Sequence, residues 1–272
     1  MDTKSPKISV VTISFNQANF LGECIESVRA QDYPNYEHIV VDAASTDGSV
    51  EVLRASESLN LQWTSEPDAG PADGLNRGFS RATGDIYYYL NADDVLLPGA
   101  FRRIVELFDR HPKVDVIYGD GLELNEAGGI TRTLFSSTWG IAQFTYGSCS
   151  VVQQSTFFRR NAYLRTNGFN LQNRFNWDAE LLVDMAMAGC QFRYVSERFG
   201  GFRMHKESLS GSRRWAEQSR VERRRLAEKA LGRTLTSKDD LKVKAYRLEK
   251  WFRNPKASLA KALTFLASRP SY

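Results

Sequence analysis

The sequence predicts an α/β protein: a mostly parallel sheet flanked by helices, with a helical appendage at the C-terminal end. Three observations carry this. Apolar, β-branched runs alternate with helically spaced segments from Ile8 to Tyr118, the rhythm of βαβ units. The 272 residues, 42% hydrophobic and 25% charged, are ordinary for a globular chain and suffice for one large domain plus an appendage. Charge is unevenly divided. Residues 213–272 carry 17 basic and 6 acidic side chains, whereas the rest carry 19 and 26. The expected organisation is a domain over 1–211, with halves about 1–119 and 120–211, and a basic helical extension over 212–272.

Ile8-Ser9-Val10-Val11-Thr12-Ile13 reads as the first strand, being β-branched and apolar. Phe20, Leu21, Cys24, Ile25 and Val28 follow at helical spacing. His38-Ile39-Val40-Val41 forms a second strand ending in Asp42, and Ser45-Thr46-Asp47-Gly48-Ser49 opens a helix carrying Val50, Val52 and Leu53. Leu59 to Thr64 is a short third strand. Ala72 to Phe79 reads as a helix, with Leu75, Phe79 and Ala82 on one face. Ile86-Tyr87-Tyr88-Tyr89-Leu90 is a buried strand, followed by a helix through Phe101, Ile104, Val105 and Phe108 and a strand at Val114 to Tyr118. Gly121 to Leu124 and Ile130 to Leu134 flank Asn125-Glu126-Ala127-Gly128-Gly129, a hairpin signal. An irregular aromatic stretch runs from Trp139 to Arg160. A helix with Leu181, Leu182, Met185 and Met187 follows, then a final strand at Phe192-Arg193-Tyr194-Val195. Two basic helices, Arg213 to Leu231 and Asp239 to Phe252, and a third opened by Pro255 close the chain. These are either an appendage packed on the body or a set that lies on an anionic membrane surface.

No stretch is long and apolar enough to span a bilayer, and Met1 to Pro6 lead into a strand without a signal-peptide pattern. Cys24, Cys149 and Cys190 are odd in number and lack metal spacing, which fits a reducing, cytoplasmic setting; the basic tail leaves the inner face of the membrane open as its place. The basic tail has no nucleic-acid recognition motif.

Chemistry-bearing residues gather at predicted strand ends, where ligands bind in open α/β sheets. Asn91-Ala92-Asp93-Asp94 ends the tyrosine-rich strand. Carboxylates there suit a hard cation such as Mg²⁺ or Mn²⁺ bridging to a diphosphate. Asp94 also reads as the cap of a helix opened by Pro98. Asp42 ends the second strand, either to accept hydrogen bonds from a base or ribose or to cap the turn at Ala43-Ala44-Ser45. Phe15 lies either on a base face or in the core. Asp73 either stabilises a helix start or orients Arg77, four residues on, and Arg77 can fork onto a phosphate. Asp178, beside Trp177, is either a helix cap or a carboxylate of raised pKa serving as general base. Gly200-Gly201-Phe202-Arg203-Met204-His205 reads as a glycine-hinged cationic loop able to fold over a diphosphate, with His205 either a metal or phosphate contact or simply solvated.

Together these segments resemble family 2 glycosyltransferases, enzymes of the GT-A fold. The carrying residues are Val10 to Asn16, Val40 to Gly48, Glu66 to Gly70 through Asn76-Arg77-Gly78, Ala82 to Asp85, Leu90 to Asp94, and Phe202 to His205 before Ser208-Leu209-Ser210. The resemblance implies inverting transfer from a UDP-, GDP- or dTDP-linked sugar to a glycan or lipid-linked acceptor, in bacterial surface polysaccharide or glycolipid synthesis. It implies a donor site of Thr12, Phe15, Asp42, Asp73, Arg77, Asn91, Ala92 and Asp93, with Mn²⁺ or Mg²⁺ on Asp93 and His205. Asp178 matches the base of inverting members. Gln153, Gln154 and Trp177 fall on the acceptor side. Two positions depart from the family pattern: Asn91 replaces the first aspartate of the DXD motif, and Ala43-Ala44 replace an acidic-glycine pair. The competing readings are a degenerate nucleotide-sugar or glycan-binding module, which Asn91 alone favours, and a sugar nucleotidyltransferase. The latter usually has a glycine-rich basic loop where Ser14-Phe15-Asn16-Gln17 stands. No G-x-G-x-x-G follows the first strand, which argues against a redox Rossmann protein.

Overall fold

The computed structural model describes residues 5–206 and 216–253. Its strands are β1 (Ile8–Ser14), β2 (Tyr36–Asp42), β3 (Leu61–Ser65), β4 (Ile86–Asn91), β5 (Val95–Leu96), β6 (Val116–Leu124), β7 (Ile130–Leu134), β8 (Thr156–Arg159) and β9 (Phe192–Arg203). Its helices are α1 (Ala18–Arg29), α2 (Ser49–Ala55), α3 (Pro71–Arg81), α4 (Ala100–Arg110), α5 (Ile141–Thr145), α6 (Arg160–Leu164), α7 (Trp177–Met187), α8 (Ala216–Leu231) and α9 (Ser237–Arg253). Among the described residues the strands join in one mixed sheet, ordered β3-β2-β1-β4-β8-β6-β9-β5, with β7 on β6. Strands β1 to β4 are mutually parallel, as expected. Strand β8 is antiparallel to both β4 and β6, so the second half is mixed.

The register positions the site. Ser14 is opposite Asp42, Asp42 opposite Ser65, and Ile13 opposite Asn91. The carboxyl ends of four strands therefore finish level along one edge. Strand β4 is covered on both faces, which is why its sequence is an unbroken apolar run. Tyr88 and Leu90 enter a core with Val10, Cys24, Phe101 and Phe108. Tyr87 and Tyr89 enter another with Val11, Leu75, Phe79 and Leu181. Each such large side chain contributes about 1.5–3 kcal/mol by leaving water. A Cβ on Gly78 would meet Val11 Cγ1 at 2.3 Å, so glycine lets α3 press closely onto β1.

Three expectations change. Val95 and Leu96 do not lie under an Asp94 cap. They form β5, antiparallel to Gly201 and Gly200, and α4 starts only at Ala100 after Gly99. The last strand extends through Arg203 rather than ending near Val195. Gly200 and Gly201 are therefore not a hinge. They are buried inside β9, paired to β5 and β6. A Cβ at Gly200 would lie 1.9 Å from the Gln154 carbonyl oxygen; glycine serves close backbone approach here.

Helix α8 lies against α5 and α7. Leu226 and Ala227 are buried. Arg225 Nη2 and Lys229 Nζ reach the buried Glu180 carboxylate at 2.5 and 2.9 Å. Helix α9 is tied down at its start, where Asp239 accepts from Thr236 N–H, Arg233 and the Tyr146 hydroxyl. The described part of the basic extension thus packs on the body. The predicted helix from Pro255 lies outside the described residues.

Candidate active site

A cleft of about 780 Å³ opens at the level strand ends. Its walls come from the β1 exit (Ile13 to Gln17), the turn into α3 (Asp68, Gly70, Pro71), the β4 tip (Tyr89, Asn91 to Asp93), Gln153 and Gln154, the start of α7 (Phe175, Trp177, Asp178), and Phe202. Residues far apart in sequence meet because β4 is central and α7 and β9 return to its carboxyl end.

At the β4 tip two adjacent aspartates divide the work. Asp93 faces the cleft, with its Oδ2 3.0 Å from His205 Nε2. The His205 ring packs on Phe20 with centroids 4.7 Å apart. Asp94 is fully buried and accepts from Gln154 Nε2 (2.8 Å), Arg203 N–H (2.9 Å) and Asn91 Nδ2 (3.1 Å). Burial, and then the Asp93 charge, hold its carboxyl well above the usual carboxylate range. Arg203, expected in a loop over a diphosphate, is instead buried beneath the tip. It donates to the Asp93, Asn125 and Glu126 carbonyls, pairs with Glu23 at 2.6 Å, and lies over the Phe20 ring.

Asp93 Oδ2 and His205 Nε2 are 3.0 Å apart, a hydrogen-bond distance. Among the described residues no group of three or more His, Cys, Asp or Glu converges. Asp93 and His205 offer one oxygen and one nitrogen donor, a pair that would fit a divalent cation completed by phosphate and water.

Asp178 also lines the cleft; it occupies the second position of α7 and is half-buried. Burial raises its pKa, opposed by hydrogen bonds from backbone N–H groups at the helix start. Asp178 is thus in the first turn of α7, whose N-cap is Asn176, and lines the cleft. Trp177 flanks it, Gln153 Nε2 donates to the Tyr89 carbonyl at 2.9 Å, and Gln154 holds Asp94. Five buried side-chain polar atoms have no partner among the described residues. Three of them, Ser14 Oγ, Tyr89 OH and Asn91 Oδ1, belong to residues lining this one cleft. Buried polar groups are normally paired, so this concentration marks a place built for a ligand.

Other expected donor residues behave differently. Thr12 does not reach the cleft: it is fully buried and bonds His38 Nε2 at 2.9 Å. Asp42 is also buried, and its carboxylate accepts from Ser45 N–H, Ser45 Oγ and Ser65 Oγ, the turn-capping role. Asp73 accepts from Ala69 N–H and pairs with Arg77 at 2.7 Å, while Arg77 also donates to the Pro67 carbonyl. The pair braces the turn behind the cleft wall. Ala92 packs with Leu21, Ile25 and Leu53. Phe15 is 61% exposed on the cleft and does not belong to the core.

Asp68, Ser14, Tyr89, Phe175 and Phe202 also line the cleft, beyond the site residues that the resemblance implies. Asn16 and Ala44 adopt left-handed backbone (φ 52° and 58°), and the Asn16 side-chain oxygen accepts from Thr46 N–H. Non-glycine residues held this way cluster at functional sites.

The sequence profile described as Glycosyl transferase family 2 matches residues 9–199. The chain belongs to glycosyl transferase family 2. An uncharacterized glycosyltransferase of Mycobacterium tuberculosis (strain CDC 1551 / Oshkosh) is 32% identical over 187 residues, 68% of this chain and 71% of that protein. A PGL/p-HBAD biosynthesis glycosyltransferase of Mycobacterium bovis BCG is 25% identical over 182 residues, 64% of this chain and 68% of the relative. In backbone shape the chain is similar to S. aureus TarS 1-349 in complex with UDP-GlcNAc (TM-score 0.70, 18% identity, 90% of this chain and 72% of that one). It is also similar to the mannosyltransferase PcManGT of Pyrobaculum calidifontis in complex with GDP-Man and Mn²⁺ (TM-score 0.65, 21% identity, 98% and 77%). The fold is GT-A, as the motifs of this family 2 glycosyltransferase imply.

Proposed function

We propose that this glycosyltransferase moves a sugar from a nucleoside-diphosphate donor to an acceptor hydroxyl with inversion, using Asp178 as base and Asp93 with His205 to hold Mn²⁺ or Mg²⁺. One observation carries the reading. A single cleft is lined by both Asp93, from a strand end, and Asp178, from a helix start.

Asp178 takes the proton of the acceptor hydroxyl as that oxygen bonds to the anomeric carbon. The bond from that carbon to the diphosphate breaks, and the electron pair leaves with the nucleotide. Attack opposite the leaving group inverts the centre. The raised pKa of Asp178 suits a proton acceptor. Asp93 lines the cleft, with the buried His205 3.0 Å from its carboxylate, and a divalent cation held there would supply charge stabilisation to the leaving diphosphate. Phe15 offers an exposed aromatic face to the base. The known ligands of TarS and PcManGT, UDP-GlcNAc and GDP-Man, support a nucleotide-sugar donor. The mycobacterial relative in PGL/p-HBAD biosynthesis supports a glycolipid or surface-glycan acceptor.

The same reading places the chain on the cytoplasmic face of a membrane. Among the described residues no helix is long and apolar enough to cross one. Helix α9 instead exposes Leu241 and Leu248 at 70% and 62%, interleaved with exposed Lys238, Lys244 and Arg247, a surface suited to anionic headgroups.

The test is a pair of variants assayed with a nucleotide-sugar panel and Mn²⁺. Asp178→Asn is expected to lose turnover by about 10²- to 10⁴-fold with donor affinity retained. Asp93→Ala is expected to lose turnover together with metal-dependent donor binding. Near-normal turnover in Asp178→Asn removes the base assignment.

A further inference from the structure

Three successive tyrosines of β4 use their hydroxyls differently. Tyr87 donates to the Ala82 carbonyl at 2.9 Å and Tyr88 to the Gln154 carbonyl at 3.0 Å. The Tyr89 hydroxyl has no hydrogen-bond partner among the described residues, although Tyr89 is only 4% exposed. Tyr89 lines the cleft with Pro71, Trp177 and Asp178. A buried hydroxyl left unpaired is costly, and phenylalanine would fill the same space without that cost.

The group is rigidly presented. It stands on a central strand, its ring meets Phe169 edge-on at 5.6 Å, and its own carbonyl accepts from Gln153. Burial first, and then the Asp178 charge, push its pKa upward. The phenol therefore keeps its proton and can both donate and accept. A sugar hydroxyl has the same double capacity.

We infer that the Tyr89 hydroxyl is a substrate-binding group that hydrogen-bonds one hydroxyl of a sugar seated beside Asp178, and so selects that sugar. This rests on the sugar-transfer reading of the cleft. The sugar belongs either to the donor or to the acceptor, and the experiment separates the two.

The full chain and its Tyr89→Phe form are compared. Calorimetry uses a panel of UDP-, GDP- and dTDP-sugars with Mn²⁺, beside UDP, GDP and dTDP themselves. Turnover is then measured with the donor that binds and a set of octyl glycosides as acceptors. The expected result is an unchanged or higher melting temperature, unchanged affinity for the bare nucleotide, and a roughly 3- to 12-fold loss toward one sugar, the usual worth of a neutral hydrogen bond. A donor contact lowers donor affinity. An acceptor contact raises the acceptor KM and leaves donor affinity intact. With a deoxy analogue lacking the contacted hydroxyl, the two proteins should become equal. Equal constants in both arms overturn the inference and leave sugar transfer standing. A lower melting temperature with equal losses toward bare nucleotide overturns it too, marking Tyr89 as a packing residue. If the unsubstituted chain binds no nucleotide sugar, the sugar-transfer reading falls and the inference with it.

Discussion

Asn91 stands where the family motif carries its first aspartate, and its surroundings explain the exchange. Its amide donates to the buried Asp94 carboxyl at 3.1 Å. A carboxylate at 91 would lose that donor and put a further charge beside a fully buried carboxyl whose pKa the Asp93 charge already raises. Asn91→Asp is therefore expected to destabilise the fold by about 1–3 kcal/mol, read as a lower denaturation midpoint. A midpoint at or above that of the parent chain removes this account of Asn91. At this scale the sequence was informative where a motif joined a strand end, as at Asp93, or a helix start, as at Asp178. It was uninformative about which strand-end side chains turn into the cleft. Thr12 and Asp42 point inward to partners on β2 and β3, and that depends on inter-strand register. Nothing in the run distinguishes Tyr89 from Tyr87 and Tyr88, whose hydroxyls are paired in the core.

Among the elements, α7 and α8 are joined through one buried carboxylate. Glu180 accepts from Arg225, Lys229, Asn170 and Asn173. Burial alone would raise its pKa, but these partners outweigh it and bring it down to about 2 from the ordinary 4.5. A carboxyl whose folded pKa is depressed contributes stability above its unfolded pKa. That contribution is full above about pH 4.5 and fades as pH falls toward about 2. Melting temperature should drop through this window, and Glu180→Gln should flatten the drop while costing about 1–3 kcal/mol near neutrality. Identical acid profiles for the two proteins would remove Glu180 as the titrating link. Strands β1, β2 and β4 were legible because sheets covered on both faces need unbroken apolar runs. The two-residue β5 and the Ser196-Glu197-Arg198-Phe199-Gly200 part of β9 were not legible. They are too short, too charged or too glycine-rich to signal a strand alone, and each exists through a partner distant in sequence.

For the molecule as a whole, opposite charges are concentrated in the body and the extension, and membrane contact through α9 is the consequence to test. Flotation with phosphatidylglycerol vesicles should exceed that with phosphatidylcholine, and Leu241→Asp with Leu248→Asp should abolish the excess. Flotation that ignores both lipid charge and these substitutions would remove the membrane reading. The change from an acidic body to a basic C-terminal stretch was visible in composition. The docking of α8 and α9 was not, since it depends on Glu180, Asp239 and Tyr146 meeting partners from remote segments.

The last strand in the chain is inserted between β6 and β5, and Arg203 and His205 travel with it to Asp93. A chain still emerging from the ribosome has β1 to β4 in hand, but Asp93 then has neither its guanidinium clamp nor its imidazole neighbour. Translation must pass position 205 before the tip can acquire its finished shape.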